Sequence, residues 1–383
     1  MTIQKTFKKA SIFSASALAL AVASASHAVD FEVGDTTASV YGYAKLDMIH
    51  DVDADMGNTV AHSAIRVDGQ DGSDGHTDFH AKQSRIGFKT STPMNGSTLN
   101  TTIEGDFYGS GNDTLRLRHA FGEWNGVLAG QTWTNFGGFI GTTPTVDFLG
   151  QVGQGNIGRQ SQLRYTTGGF SVALEDPGTI GSNVDMDNRL NVNDSVKSSF
   201  PDLTLRYHAG ADNINYGASA VMRQIEYYNS TQDSDESAFA WGLNLEASVE
   251  VAEGIKFQGS LTHGDGLGGY MYGSPARAGY IDNSGDVEGI EGTGGTFGMS
   301  AAAGPGKVNL AYGVATADLD DAVDEGAIGS ASLDKVESIY LNYIWSPADR
   351  ISYGVEAGYH TKDTQGGDDG DAVRIHGMAM YSF

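Results

Sequence analysis

Apolar and polar residues alternate along most of this chain, from shortly after residue 29 to the final residue. The clearest segment is 239–249, an apolar series with small or polar residues between its members, and segments 99–107 and 351–359 repeat the pattern. Alternation with a period of two places successive side chains on opposite faces of a β-strand. The pattern predicts sixteen strands of about 7 to 13 residues, close to the length of a tilted membrane-spanning strand.

Short and long connections alternate between these strands. The short ones have the composition of tight turns and are Asn95-Gly96, Asn125-Gly126, Gly168-Gly169, 211–213, Glu253-Gly254, 304–306 and 346–349. The long ones cover about 50–77, 134–158, 177–201, 227–237, 264–294, 317–334 and 361–370, with one shorter connection near 109–113. Short turns at one rim and long loops at the other are typical of an outer-membrane barrel.

Two soluble all-β folds also contain alternating strands. A β-sandwich lacks this regular succession of short and long connections, and a propeller would repeat every 40 to 50 residues or so, which this chain does not. No segment after the N-terminal region has the roughly 18 consecutive apolar residues of a transmembrane helix. The sequence therefore predicts an all-β protein, a transmembrane antiparallel β-barrel of about sixteen strands with short periplasmic turns and long extracellular loops.

The last predicted strand supports the barrel independently. Its alternate residues form one apolar face that ends in an aromatic C-terminal residue: Val373, Ile375, Gly377, Ala379, Tyr381 and Phe383. A terminal aromatic on an alternating strand is similar to the signal that the bacterial barrel-assembly machinery reads. We therefore interpret Tyr381 and Phe383 as an assembly signal.

The first 28 residues have the layout of a secretory signal peptide. Three lysines precede an Ala-rich apolar run over 10–25, and Ser26-His27-Ala28 places small residues at positions −3 and −1 of a cleavage site. We predict a signal peptide over 1–28 and an outer-membrane barrel domain over 29–383. The mature chain would have 355 residues, which is 383 minus 28.

Composition and charge narrow the class of protein. Glycine (53 residues), tyrosine (17) and phenylalanine (16) are abundant, as in twisted barrel strands with aromatic girdles, and proline (7) is rare. The chain has no cysteine, so packing and hydrogen bonds alone must hold the exported protein together. The net charge of −25 becomes −28 without the three signal-peptide lysines, which argues against binding to nucleic acid or anionic headgroups.

The acidic residues are concentrated in the predicted loops. All the long loops except 134–158 together hold 26 of the 48 acidic residues and five basic ones, so they contribute −21 of the mature −28. In the strands, cations occupy the parity opposite to apolar residues, which points them into the lumen because a charge on the lipid face costs about 2 to 4 kcal/mol. The inward cations are Lys45, Arg85, Lys89, Arg116, Arg118, Arg164, Arg206 and Arg223, and the inward acids are Asp47, Glu104, Asp106 and Glu175.

A charged lumen wall selects solutes by its field and its diameter. Arginine adds planar, bidentate donors that suit a carboxylate. We predict that the pore-lining and selectivity residues are Arg85, Arg116, Arg118, Arg164, Lys45, Lys89, Glu104 and Asp106. In an alternative interpretation the arginines only pair with Glu104 and Asp106 to brace the wall, and both roles can coexist.

Sequence signals for catalysis are weak. Two G-x-G-x-x-G matches, 153–158 and 264–269, do not lead from a strand into a helix, and no nucleophile, base and orienting group are indicated together, so we do not expect an enzyme. His119 and His376 lie within strands as wall residues. We expect no cofactor. Two acidic clusters could bind calcium weakly: Asp51, Asp53 and Asp55, and Asp368, Asp369 and Asp371. Neither has the remaining ligands of an EF-hand loop, which favours the alternative of solvated acidic loops.

The chain resembles the DcaP-like porins, a family of trimeric channels of the Gram-negative outer membrane. The resemblance is densest over 83–176 and is carried by the segments Ser84–Lys89, Ile103–Phe107, Leu115–Ala120, Leu128–Thr134 and Arg159–Tyr165. The run Gly130-Gln131-Thr132-Trp133, followed by a long loop and then Arg159 to Tyr165, is the most specific part. Beyond Pro177 the likeness is mainly architectural.

The resemblance implies a sixteen-stranded barrel, a third loop folded into the lumen, here about 135–158, and uptake of small dicarboxylate or aromatic acid anions. Some members carry an N-terminal coiled-coil segment, for which the roughly ten residues between Val29 and the first strand leave no room. We expect a homotrimeric porin, in contact with outer-membrane lipids and lipopolysaccharide, that passes small hydrophilic solutes by passive diffusion and favours small organic anions. The alternatives are a non-selective or cation-preferring porin and a structural, adhesive or enzymatic barrel.

Overall fold

A computed structural model describes residues 28–110, 113–178, 184–185 and 195–383, so the predicted signal peptide lies outside the described residues except for Ala28. Within these residues, sixteen antiparallel strands form one closed barrel. They are β1 (Thr36–Asp51), β2 (His76–His80 and Arg85–Met94), β3 (Ser97–Asp106), β4 (Arg116–Trp124), β5 (Val127–Trp133), β6 (Arg159–Thr167), β7 (Phe170–Glu175), β8 (Ser195–Lys197 and Asp202–Ala211), β9 (Ile214–Asn229), β10 (Ser234–Ala252), β11 (Ile255–Asp265), β12 (Glu291–Ala303), β13 (Gly306–Ala317), β14 (Leu333–Ala348), β15 (Ile351–Thr364) and β16 (Asp369–Ser382). Strands β1 and β16 pair from Tyr43 opposite Ser382 to Asp51 opposite Arg374, which closes the barrel.

The remaining elements are short. Strand Val29–Val33 folds back as a hairpin onto the start of β1, so the residues that the sequence pattern placed before the first strand are themselves paired. Val184–Asp185, Gly279–Ile281 and Val287–Gly289 form a small separate sheet. The helices are 3₁₀ turns at His62–Ala64 and Gly268–Tyr270 and an α-helix at Asp320–Asp324. None of the helices in the described residues is long and apolar enough to cross a membrane.

Alternation along the strands separates an apolar outer face from a polar lumen. In β10, Phe239 and Leu245 are 68% and 56% exposed on the outside, whereas Asn244 and Glu246 are buried on the inside. In β16, Ile375 and Tyr381 face outward and their neighbours in sequence face inward. The predicted barrel with its two faces is therefore confirmed.

Tight turns join the strands at the rim that holds the chain's C-terminal end. Asn95 and Gly96 have φ values of 52° and 79°, and Asn125 and Gly126 have 50° and 79°, the left-handed pair that a two-residue hairpin turn needs. The turn predicted at 346–349 is placed wrongly. A bulge between Trp345 and Ala348 lets β14 continue past Pro347, and the turn is Asp349-Arg350.

Two of the predicted long loops are instead tight turns. The segment 227–237 belongs mostly to β9 and β10, with only 230–233 between them, and in 361–370 only 365–368 joins β15 to β16. The polar residues there resemble a loop in sequence. They are compatible with strands because a hairpin that extends beyond the bilayer no longer faces lipid, so charged side chains cost little there.

The third loop and the loop after β11 fold into the barrel and pack against each other. Phe136 and Val152 of the third loop contact Leu267, Tyr270 and Met271 of the loop after β11 in one buried apolar cluster. Backbone hydrogen bonds join these two loops in both directions, including 2.7 Å from the Gly153 amide to the Tyr272 carbonyl. These two loops therefore narrow the lumen as a packed unit, whereas the family resemblance implied an inward fold only for the third loop.

Phe383 follows β16 and contacts β1 across the closure. Its backbone amide donates to the Gly42 carbonyl at 3.0 Å, and its ring lies where a side chain at residue 42 would be.

We expect Phe383→Ala to lower the amount of assembled barrel, because the backbone bond stays while the aromatic signal is lost. The heat-modifiable fraction in isolated outer membranes measures this. Phe383→Tyr is the matched control, and equal assembly of the Ala variant and the wild type would refute the assembly role.

Candidate functional site

The third loop, 134–158, crosses the lumen between β5 and β6. Three glutamates from widely separated strands accept hydrogen bonds from it: Glu175 of β7, Glu246 of β10 and Glu356 of β15. The donors are Thr134 Oγ1 and the Asn135 amide to Glu175 (2.7 and 2.5 Å), the Ile140 and Gly141 amides to Glu246 (2.9 and 3.3 Å), and the Val146 and Asp147 amides to Glu356 (2.8 and 2.9 Å). The wall thus fixes the loop at its start, middle and tip.

Beside the loop, β2, β3 and β4 bring five of the predicted site residues together. Arg116 donates from Nε and Nη2 to both oxygens of Asp106, at 2.9 and 2.7 Å. Arg118 bridges the two acids, with Nε 2.8 Å from Glu104 and Nη1 2.8 Å from Asp106. Arg85 Nε lies 3.3 Å from the same Glu104 oxygen. The three arginines therefore do brace the wall, and the cluster keeps a formal charge of +1.

Aromatic rings hold the guanidinium groups in place. Arg116 lies 5.2 Å from the Tyr108 ring and 5.8 Å from the Phe148 ring, and these two rings stack at 4.8 Å. Arg118 lies 5.5 Å from the Trp133 ring. Cation–π contacts of this kind fix a guanidinium plane without neutralising its charge. Burial raises the pKa of the Tyr108 hydroxyl above its usual range, so this ring stays neutral beside the cations.

Three other predicted site residues do not join this cluster. Lys45 is buried, with Nζ 2.8 Å from Asp47 and 3.3 Å from the Val146 carbonyl, so it supports the loop tip. Lys89 lies over the Tyr41 ring at 4.4 Å, toward the rim of tight turns. Arg164 is half-buried on the lumen side of β6, and its Nε has no hydrogen-bond partner among the described residues.

The two strand histidines are part of the wall. His119 Nδ1 lies 3.0 Å from Thr132 Oγ1, and His376 Nε2 lies 3.1 Å from Asp47 Oδ1. Both side chains are buried.

A cavity of about 500 Å³ lies under the third loop and reaches the tight-turn rim. Five cations and one carboxylate line it: Arg85, Arg118, Arg159, Lys256, Lys307 and Asp147. Arg159, Lys256 and Lys307 are not among the site residues predicted from the sequence. Arg159 is the first residue of β6 and lies 4.9 Å from the Trp133 ring. At the first residue of a strand, alternation does not tell whether the side chain faces the lumen. The two lysines do follow the inward parity of Gln258 and Asn309, so the alternation contained a signal for them.

The first acidic loop uses its carboxylates for bonds within the protein. Asp51 pairs with Arg374 at 2.7 and 2.8 Å, Asp53 accepts the Val373 amide, and Asp55 accepts the Gly57 amide. In the part of the chain that the structure describes, no three His, Asp or Glu side chains are placed to hold a metal ion together. Calcium binding at the loops stays an untested prediction.

Comparison with known proteins now bears on this geometry. A family model described as DcaP outer membrane protein matches residues 11–286. The chain belongs to the DcaP family. The crystal structure of the outer-membrane channel DcaP of Acinetobacter baumannii is similar to this DcaP-family chain with a TM-score of 0.78 and 25% identity, over 92% of this chain and 99% of that one. The resemblance inferred from the sequence is therefore confirmed.

More distant solved structures share the fold. An anion-selective porin from Comamonas acidovorans is 13% identical with a TM-score of 0.57, covering 91% of this chain and 100% of that one. OmpT of Vibrio cholerae is 12% identical with a TM-score of 0.54, covering 93% and 100%. A search of curated protein sequences finds no match. The DcaP family and the barrel fold make this chain an outer-membrane channel, and they place it in the outer membrane.

Proposed function

We propose that this channel passes small hydrophilic solutes by passive diffusion, prefers small organic anions such as dicarboxylates, and works as a homotrimer. The observation that carries the anion preference is the lining of the cavity, where five cations face one carboxylate. That carboxylate, Asp147, lies 3.7 Å from Arg374 Nη1 and shares this arginine with Asp51. A solute under the third loop therefore meets a positive wall.

The acidity of the whole chain favours the opposite preference, and distance decides between the two. Of the 48 acidic residues, 26 lie in the six predicted long loops other than 134–158. Charges farther away than about 8 to 10 Å contribute little at physiological salt. A solute in the cavity passes within a few ångströms of the cations, and the low-dielectric protein around them screens their charge only weakly. Proximity should therefore outweigh total charge.

A non-selective or cation-preferring pore is the second candidate, because Glu104 and Asp106 offset two of the three arginines beside the loop. Single-channel recording in planar bilayers under a KCl gradient distinguishes the candidates. We expect a reversal potential of the sign that chloride preference gives. Insertion of a trimer should appear as conductance steps that close in three equal parts. A potassium-preferring reversal potential would refute the anion preference, and undivided steps would refute the trimer.

A further inference from the structure

Within the described residues, two lysines of the cavity, Lys256 and Lys307, are not bound in ion pairs as Arg85 and Arg118 are. Lys256 and Lys307 are the second residues of β11 and β13, just after tight turns, and both line the cavity. In the described part of the chain, neither ammonium forms an ion pair or a hydrogen bond. Glu250 lies opposite Lys256 in the register of β10 and β11 and is its acidic neighbour, but it forms no ion pair with the ammonium and accepts the Gly254 amide at 3.2 Å. The lysine pair therefore has one acidic neighbour without direct contact, whereas Arg85 and Arg118 contact acids directly.

The lysines stand across the barrel from the arginines. They flank β12, which lies eight strands from β4 in a closed ring of sixteen, so the wall that carries them faces Arg118. They also lie nearer the tight-turn rim, because Arg118 is in the upper part of β4. A solute that passes the arginines therefore meets the lysines next, on the opposite side.

Polar side chains surround the lysine pair, and apolar ones separate it from the arginines. Gln258 and Ser300 line the cavity next to the lysines and are joined by a hydrogen bond of 3.1 Å. Phe139 and Phe148 of the third loop line the space between the two walls. The cavity thus has two cationic poles with an apolar middle, within the size range of small-molecule sites.

We infer that Lys256 and Lys307 form a second anion-binding subsite, which holds one end of a dianion while the arginine wall holds the other. This inference rests on the proposed anion preference. A monoanion can satisfy only one pole at a time, so the lysine pair should favour solutes with negative groups at both ends over solutes of equal length with one. Lysine suits this role because its ammonium is a compact charge that reaches a carboxylate without a fixed geometry.

The test compares potassium succinate with potassium butyrate, which have equal carbon chains and two charges or one at pH 7.5. Reversal potentials across planar bilayers give the succinate-to-butyrate permeability ratio. We expect Lys256→Gln with Lys307→Gln to lower that ratio about fivefold, the effect of one lost charge contact of modest strength. Lys256→Arg with Lys307→Arg should keep it. Lys335→Gln, which removes a lysine at the long-loop end of β14 and outside the cavity, should also keep it.

Heat-modifiable migration shows whether each variant is assembled, and removing unpaired lysines leaves no buried acid without a partner. An unchanged ratio in the Gln double variant, with a wild type that prefers chloride over potassium, overturns the subsite and leaves the proposed function intact. A wild type that prefers potassium overturns the proposed function as well. A ratio that falls in the Gln variant and is kept in the Arg variant supports the subsite.

Discussion

Replacing Arg116 and Arg118 together by glutamine should move the channel's preference from anions toward cations. In the wild type, these arginines and Arg85 face Glu104 and Asp106, a formal charge of +1, and the double variant changes this to −1. Asp106 is fully buried and loses both of its ion partners. We expect the anion-to-cation permeability ratio in bilayers to fall roughly five- to tenfold, because the changed charges lie beside the constriction.

The same variant should also be less stable, and a second variant separates the two effects. Breaking a buried pair by removing one partner costs about 3–5 kcal/mol, so the midpoint of thermal unfolding should fall. Adding Asp106→Asn alone removes the buried carboxylate that has lost both partners, while Glu104 keeps Arg85. The formal charge becomes 0, so we expect stability to be largely restored while the permeability ratio stays between those of the wild type and the double variant. A permeability ratio that returns fully to the wild-type value together with the unfolding midpoint would show that stability, and not charge, sets the selectivity.

The matched control neutralises acids of the outer rim. Replacing the acids at 318–325 by their amides removes five negative charges: Asp318, Asp320, Asp321, Asp324 and Glu325. We expect a much smaller change in the permeability ratio, confined mainly to low salt, where screening is weak. If this loop variant shifts the ratio more than the arginine variant does, the rim controls selectivity and the lining under the third loop does not.

The barrel could be predicted from the sequence because its determinants are local. A strand with one face in lipid must alternate, and a two-residue turn needs left-handed backbone, so 239–249 and Asn95-Gly96 carry their structure in their own residues. The two hairpins wrongly predicted as long loops, 227–237 and 361–370, are explained by the same dependence on lipid-facing alternation. Alternation marks the part of a hairpin that faces lipid, and above the bilayer both faces of β9 and β10 can be polar.

The interior could be predicted only in part, because it depends on contacts between distant segments. Parity placed Arg116 and Arg118 in the lumen, but their pairing with Asp106 depends on the register of β3 and β4, which includes a shift at Glu104. Nothing local to 266–290 indicates that this loop pairs with the third loop inside the barrel. Such packing depends on two apolar surfaces that complement each other. In the sequence each surface appears without its partner.

Loosening the tip of the third loop should widen the channel. Glu356 is buried and accepts three hydrogen bonds, from the Val146 and Asp147 amides at 2.8 and 2.9 Å and from Asn342 Nδ2 at 2.8 Å. Glu356→Gln keeps the shape but replaces one acceptor oxygen by an NH₂ group that faces a donor. Leaving a buried donor without its acceptor costs about 1–3 kcal/mol, enough to release the tip for part of the time. We expect about 1.5- to 2-fold higher single-channel conductance and more current noise.

A disulfide can restore the contact without the carboxylate. A Cβ built at Gly354, on the strand of Glu356, would lie 2.9 Å from Val146 Cγ2 and 3.0 Å from the flexible Met378 side chain. Cysteines at 146 and 354 are therefore close enough to be bridged once the Met378 side chain moves aside. The chain has no cysteine of its own, which makes the bridge unambiguous. Added to Glu356→Gln, the pair Val146→Cys and Gly354→Cys should return conductance and noise to wild-type values when oxidised and lose the effect when reduced. A Glu356→Gln channel with unchanged conductance and noise would show that Glu175 and Glu246 hold the loop without Glu356.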